Sequence, residues 1–143
     1  MEKNTSLKIF LVDDDLFSLH LYEQHLRNLG YADIHAFDNG TGCLNELIHQ
    51  PNVIFLDYSM KILNGLEVLN KIKRFDPNIH VVFISGQEDI STAVSSLKYG
   101  AFDYIVKDDK ALQQIEKVLT KIHDISKLLE KRSKRIFKRI FML

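Results

Sequence analysis

Four short apolar runs each end on a group that can do chemistry, and this restricts the fold more than any other feature of the chain. Val53-Ile54-Phe55-Leu56 runs without alternation into Asp57, and Ile9-Phe10-Leu11-Val12 runs into Asp13-Asp14-Asp15. Val81-Val82-Phe83-Ile84 runs into Ser85-Gly86, and Tyr104-Ile105-Val106 into Lys107. Unbroken runs of this kind read as strands of a parallel sheet covered on both faces. An ionised Asp57 cannot sit unpaired inside such a layer, so it belongs where its strand emerges. In open α/β sheets that carboxyl edge is where ligands bind. With the strands parallel, carboxylates, a hydroxyl and an ammonium converge on one edge, and that convergence is the expected site.

Helical patterns fill the gaps between the runs. Leu19, Tyr22, Leu26 and Leu29 form a stripe at helical spacing, with Gly30 as its stop. Asp33 to Phe37 reads as a short second strand, and Asn39 as the cap of a helix through Ile48 that Pro51 ends. The loop Tyr58 to Asn64 leads into a helix with Leu66, Leu69 and Ile72 on one face. Ser91 to Tyr99 is a weakly amphipathic helix closed by Gly100, and a last helix starts near Asp108 or Asp109. Five βα units with short connections predict a parallel sheet with helices on both faces.

The chain has 143 residues and no net charge, yet its charge is divided. Residues 1–126 hold 12 Lys/Arg and 18 Asp/Glu, for −6, whereas residues 127–143 hold 7 Lys/Arg and 1 Glu, for +6. The expected organisation is an acidic domain over residues 7–126 and a basic amphipathic helical extension or linker over residues 127–143. Cys43 is the only cysteine, so an internal disulfide is excluded and a reducing compartment fits. Met1 to Asn4 open no apolar signal region, and no run approaches the roughly 20 apolar residues of a membrane span, so a cytoplasmic protein is expected. The six histidines show no ligand spacing and are expected to be surface or satisfied groups.

Three carboxylates, Asp13, Asp14 and Asp57, gathered at one edge repel one another, at about 4 kcal/mol for two charges 4 Å apart in a dielectric of about 20. A divalent cation removes that penalty, and all-oxygen donors favour Mg²⁺. Lys107 supplies a movable charge and Ser85 a hydroxyl for phosphoryl oxygens. A carboxylate nucleophile so equipped suits in-line phosphoryl transfer onto Asp57. A side chain at Gly86 would crowd an incoming phosphate.

Asp13-Asp14, Asp57, Ser85 and Lys107, each at a strand end, resemble the receiver domain of two-component response regulators. Met60, Gly65 and the segment Gly100-Ala101-Phe102-Asp103-Tyr104 are also similar to that family, and the likeness covers about residues 7 to 126. The resemblance implies a flavodoxin-like three-layer sandwich with strand order 2-1-3-4-5, five helices, and the last helix extended. It implies phosphorylation of Asp57 by a histidine kinase or histidine phosphotransfer protein. Mg²⁺ (or Mn²⁺) would be held by Asp14, Asp57 and the Ser59 carbonyl, with Asp13 acting largely through water. A Ser85/Tyr104 pair would switch the face made by the fourth helix, fifth strand and fifth helix to control a downstream protein. Beyond its own phosphotransfer and slow autodephosphorylation, no enzyme activity is implied. Lys61 and Asp108 stand where the family usually has Pro, so either a trans Lys107–Asp108 bond or a shifted Lys107 is expected.

Two other classes compete. Asp13-Asp14-Asp15 matches the D-x-D of haloacid-dehalogenase-like phosphatases, in which Asp13 would be the nucleophile, but Lys107 then abuts Asp108-Asp109 with no strand between them and Asp57 has no role. A phosphorylation-independent interaction module would work through its tail. Ile115, Ile122, Leu129, Ile136 and Leu143 recur every seven residues, with Val118 and Ile125 in the second seam position and Arg132 and Arg139 replacing it later. Such a seam, if used, makes a homodimer or meets a partner helix. The basic residues interleaved with Phe137, Phe141 and Leu143 also fit a membrane surface, nucleic acid or a solvated linker. A partner helix or linker is preferred, and no DNA-binding domain is expected in this chain.

Overall fold

The structure, a computed structural model, describes residues 5–86 and 90–142. Strands β1 (Ile9–Val12), β2 (Ile34–Phe37), β3 (Val53–Asp57), β4 (His80–Ser85) and β5 (Asp103–Val106) form one sheet. Its order is β2-β1-β3-β4-β5 and all pairs are parallel. Helices α1 (Leu16–Asn28), α2 (Gly40–Asn45), α3 (Gly65–Phe75), α4 (Ile90–Lys98) and α5 (Ala111–Phe141) connect or follow them. This is the flavodoxin-like architecture expected.

The strands carry no polar face because both sides are covered. Ile9, Leu11, Val53, Phe55, Val82, Ile84 and Ile105 pack against α1 and α5 through Leu19, Leu26, Ile115, Val118, Leu119 and Ile122. The alternating residues Phe10, Val12, Ile54, Leu56, Val81 and Phe83 pack on the other side against Cys43, Val68, Leu69 and Ile72. Cys43 is fully buried, and burial pushes its thiol up to about 12, so it packs as a small apolar side chain.

Local chemistry sets the joints. Asp15 caps α1 by accepting from the Phe17 amide at 3.2 Å and the Ser18 hydroxyl at 2.8 Å. Gly30 and Gly100 end α1 and α4 with φ of +101° and +107°, where a side chain would strain the backbone. Asn39 caps α2 through the Gly42 amide at 2.8 Å, but α2 stops at Asn45 rather than Ile48. The chain there tightens into a 3₁₀ turn over Leu47–His49 that seats Leu47 in the core, and Gln50 leaves it at φ 59°. Among the histidines, His25 meets the Leu112 carbonyl and His35 meets Asp33, as expected of satisfied groups. His123 departs from that expectation, since both ring nitrogens are buried without a hydrogen-bond partner among the described residues.

The seven-residue stripe of the last helix is divided between two environments. Ile115, Val118 and Ile122 lie in the core, Ile125 is half-buried, and every described residue from 126 onward is exposed. The stripe is therefore consumed by the domain over its first turns and leaves no continuous seam; Leu143 lies outside the described residues.

Two glycines flanking the sheet edge have opposite packing. A Cβ at Gly65 would lie 2.6 Å from the Phe83 ring and 2.8 Å from the Tyr58 backbone, whereas one at Gly86 meets nothing within 4 Å. Gly65→Ala should lower stability by about 1–3 kcal/mol, and Gly86→Ala should stay within about 0.5 kcal/mol. Urea midpoints of both variants decide this; equal midpoints would show that α3 does not need its close approach to β3.

Candidate functional site

The parallel register carries the ends of β1, β3 and β4 to one edge. Val12 pairs with Leu56, and Asp57 with Ile84, so Asp13, Asp57 and Ser85 follow one another across the sheet. Asp13 and Asp57 are buried, Asp14 is exposed, and one carboxylate oxygen from each lies within 4.8 Å of the others. All donors are oxygens on short stems, and the outermost faces water, which is the chemistry of a hard divalent cation that keeps part of its hydration shell.

Lys107 reaches into this cluster from the end of β5. Its ammonium lies 2.7 Å from Asp13 Oδ2 and 3.7 Å from Asp57 Oδ1. The second oxygen of Asp13 accepts from the Asp15 amide at 2.8 Å, so both its oxygens are engaged. Asp57 accepts from the Ser59 amide at 3.4 Å, and the loop beyond it is closed by the Gly65 amide on the Tyr58 carbonyl at 2.9 Å.

The electrostatics follow from burial. Loss of water raises Asp57 to about 6, with repulsion from Asp13 adding to the rise and Lys107 and the Ser59 amide opposing it. Burial pulls the Lys107 ammonium down, but its hydrogen bond to Asp13 and its attraction to Asp57 outweigh this and hold it above the ordinary value. The carboxylate at the end of β3 is thus held against ionisation by its burial, which is a common mark of a functional group.

No cis peptide occurs among the described residues, so the Lys107–Asp108 bond is trans, and Lys107 reaches the Asp13 carboxylate from it. Asp108 holds the turn in ways a proline could only partly match. Its amide donates to the Val106 carbonyl at 2.9 Å, and its carboxylate accepts from the Lys110 amide at 2.8 Å ahead of α5. The Lys107 amide also donates to the Ser85 carbonyl at 2.8 Å, which ties the two strand ends together.

Ser85 is fully buried at the end of β4, and Tyr104 is half-buried in β5. The Tyr104 ring lies 6.4 Å from that of Tyr58 and 6.3 Å from that of Phe83, which in turn lie 5.3 Å apart. An aromatic chain therefore runs from the residue beside Asp57 to β5. Neither Tyr58 in this role nor Asp13 as the resting partner of Lys107 has a local sequence signature, because both depend on contacts between distant segments. A Cβ at Gly86 would meet no described residue within 4 Å, so packing among the described residues does not demand glycine there.

A five-stranded parallel sheet that presents an acidic trio, a lysine and a buried serine at one edge defines a receiver-type signalling domain. The profile of the response regulator receiver domain matches residues 9–131, and the chain belongs to that family. It is 42% identical over 102 residues to the nitrogen assimilation regulatory protein NtrX of Azorhizobium caulinodans, covering 69% of this chain and 22% of that protein. It is 30% identical over 124 residues to the transcriptional regulatory protein ZraR of Escherichia coli, covering 84% of this chain and 28% of that protein. Among solved structures, NtrX from Brucella abortus superposes with a TM-score of 0.80 at 31% identity, over 90% of this chain and 29% of that one. A receiver domain protein from Clostridium thermocellum superposes with a TM-score of 0.78 at 25% identity, over 86% of this chain and 98% of that one. The chain spans about a fifth to a quarter of the length of the curated regulators named here. The relatives are named as a nitrogen assimilation and a transcriptional regulatory protein, and membership in the receiver family sets the phosphatase reading aside.

The raised Asp57 value fixes a pH dependence for the metal-free protein. Below the ordinary carboxylate range Asp57 is protonated folded or unfolded; between about 4 and about 6 only the folded chain holds the proton. Stability should therefore fall as pH rises through about 6. The gap is worth up to about 3 kcal/mol, and water at the open edge reduces it to about 1–2 kcal/mol. In EDTA, Asp57→Asn should be more stable than the parent at pH 7 by that amount and lose the slope. Parallel unfolding curves for the two proteins from pH 4 to 7 would refute the assignment.

Proposed function

We propose that the chain is a phosphoryl-accepting signalling switch in which Asp57 takes the phosphoryl group of a phosphohistidine on a sensor kinase or phosphotransfer protein. The observation that carries this is the buried Asp57 carboxylate at the sheet edge, within 4.8 Å of oxygens of Asp13 and Asp14 and with the Lys107 ammonium 3.7 Å away. Asp13, Asp14, Asp57 and the Ser59 carbonyl are the groups that would hold Mg²⁺. When bound, that ion supplies positive charge for the transferring phosphoryl oxygens and lowers repulsion among the carboxylates.

In the transfer, an Asp57 carboxylate oxygen forms the new bond to phosphorus as the phosphorus–nitrogen bond of the donor breaks. The bonding pair leaves with the donor imidazole. Lys107 exchanges its contact with Asp13 for a phosphoryl oxygen, and Ser85 donates its hydroxyl to another. The donor reaches the site past the first turns of α1, where Leu16, Phe17 and Leu21 are exposed beside the acidic edge. The acyl phosphate is later lost to water by slow autodephosphorylation.

Incubation with Mg²⁺ and acetyl phosphate should raise the intact mass by one phosphoryl group. Asp57→Asn should abolish the gain, while Asp13→Asn should retain a slower one. A phosphoryl group mapped to Asp13, or persisting in Asp57→Asn, would sink this reading.

A phosphoryl group adds about −1.5 to −2 charge at Asp57. Drawing Ser85 toward it frees room into which the Tyr104 ring, already against Tyr58 and Phe83, can move. Shifting a 1:99 equilibrium to 99:1 takes about 5.5 kcal/mol, whereas one hydrogen bond to a charged group gives about 1.5–3 kcal/mol. Lys107 and the aromatic chain must therefore share the work, and a partial switch is the expected outcome. Ser85→Ala should still accept phosphate on Asp57 but show smaller amide shifts across α4, β5 and α5 with beryllofluoride. Full-size shifts in that variant would reject the Ser85 route.

A further inference from the structure

The part of α5 beyond the core is a cationic amphipathic helix, and we infer that it docks on the surface of an anionic phospholipid membrane. It runs about 28 Å past Ile122 at 1.5 Å per residue, and all its described residues from 126 onward are exposed. At about 100° per residue, Ile125, Leu129, Ile136, Phe137, Ile140 and Phe141 fall within one arc of about 160°. The arc opposite contains every basic residue of the extension: Lys127, Lys131, Lys134 and Lys138 toward the Phe141 side, and Arg132, Arg135 and Arg139 toward the Ile125 side. No Lys or Arg falls within this arc; Ser126, Ser133 and Glu130 do, with Glu130 paired to Lys134 at 3.1 Å, and long cationic stems border it on both edges. The rings of Phe137 and Phe141 lie 4.7 Å apart and form an exposed aromatic pair within it.

Each competing occupant fits only part of this surface. Pairing with a second copy sets Arg132 and Arg139 in the seam and brings two segments of +6 together. Nucleic acid neutralises the basic arc but leaves Phe137, Ile140 and Phe141 in water. An anionic lipid surface satisfies both, with headgroups on the basic stems and the apolar arc at the acyl boundary. No helix among the described residues is long and apolar enough to cross a membrane, so the contact is interfacial. The −6 of residues 1–126 is repelled by the same lipids, which leaves the extension as the part that touches.

The test is flotation of the full chain with vesicles of three parts phosphatidylcholine to one part phosphatidylglycerol, against phosphatidylcholine alone. Binding should be confined to the anionic vesicles and weaken with salt. The combined variant Lys127→Gln, Lys131→Gln, Lys134→Gln and Lys138→Gln should lose about a hundredfold or more in partitioning, and Phe137→Ser with Phe141→Ser should lose binding without a charge change. The chain has no Trp, so Phe137→Trp gives a single reporter whose emission should move to shorter wavelength on the anionic vesicles. All these positions are exposed, and unchanged unfolding midpoints show that the domain persists. Equal binding to neutral vesicles, an unmoved Trp emission, or no flotation would each overturn the inference. So would concentration-dependent dimers or duplex DNA binding that these substitutions abolish in a chain that does not float. None of these outcomes depends on phosphorylation of Asp57.

Discussion

The short contact between Lys107 and Asp13 is the interaction on which the rest of the site depends. Without a cation, two buried carboxylates and an exposed third face one another across neighbouring strands, and one ammonium must offset them. Asp13 holds that ammonium at 2.7 Å, which leaves Asp57 only its more distant attraction. The asymmetry has a chemical consequence. One acid is engaged through both oxygens, while the other stays costly to ionise because of its burial. A symmetric placement of Lys107 would stabilise Asp57 as an anion and blunt it as a nucleophile.

Most of this was legible in the sequence because it rests on strand ends. An apolar run that stops at Asp57 fixes both the strand and the residue that emerges from it, and parallel topology then gathers Asp13, Asp14, Ser85 and Lys107 without further information. What was not legible depends on contacts between segments far apart in the chain. The resting partner of Lys107, the Tyr58–Phe83–Tyr104 rings and the tight seat of Gly65 against Phe83 have no local signature. The early end of α2 is similar, since the pattern through Ile48 is helical and only core space for Leu47 forces the tighter turn. His123 was read as surface or satisfied because sequence spacing cannot report a ring nitrogen enclosed without a partner.

The two prolines missing from the usual family pattern carry different weight. At Asp108, an amide and a carboxylate that proline lacks close the turn after Lys107, so the lysine keeps its place on a trans backbone. At Lys61 no comparable closure is formed among the described residues. The loop after Asp57 is instead held at its ends, by Ser59 on Asp57 and by Gly65 on Tyr58. Rigidity that a proline would supply through its ring is supplied here by hydrogen bonds, which can be exchanged when a phosphoryl group arrives.

Because α5 is one continuous helix from Ala111 to Phe141, the switching domain and the exposed extension are mechanically one piece. Its first turns pack on the sheet face that includes Ile105 of β5, the strand that carries Tyr104 and ends at Lys107. A tilt of about 5° at Ile122, within what a repacked helix absorbs, displaces Phe141 by about 2–3 Å along a rod of about 28 Å. The core loses nothing by such a motion, since no residue past Ile125 contributes to it. Burial thus ends where mechanical leverage begins, and no break in the helix separates the packed turns from the basic end.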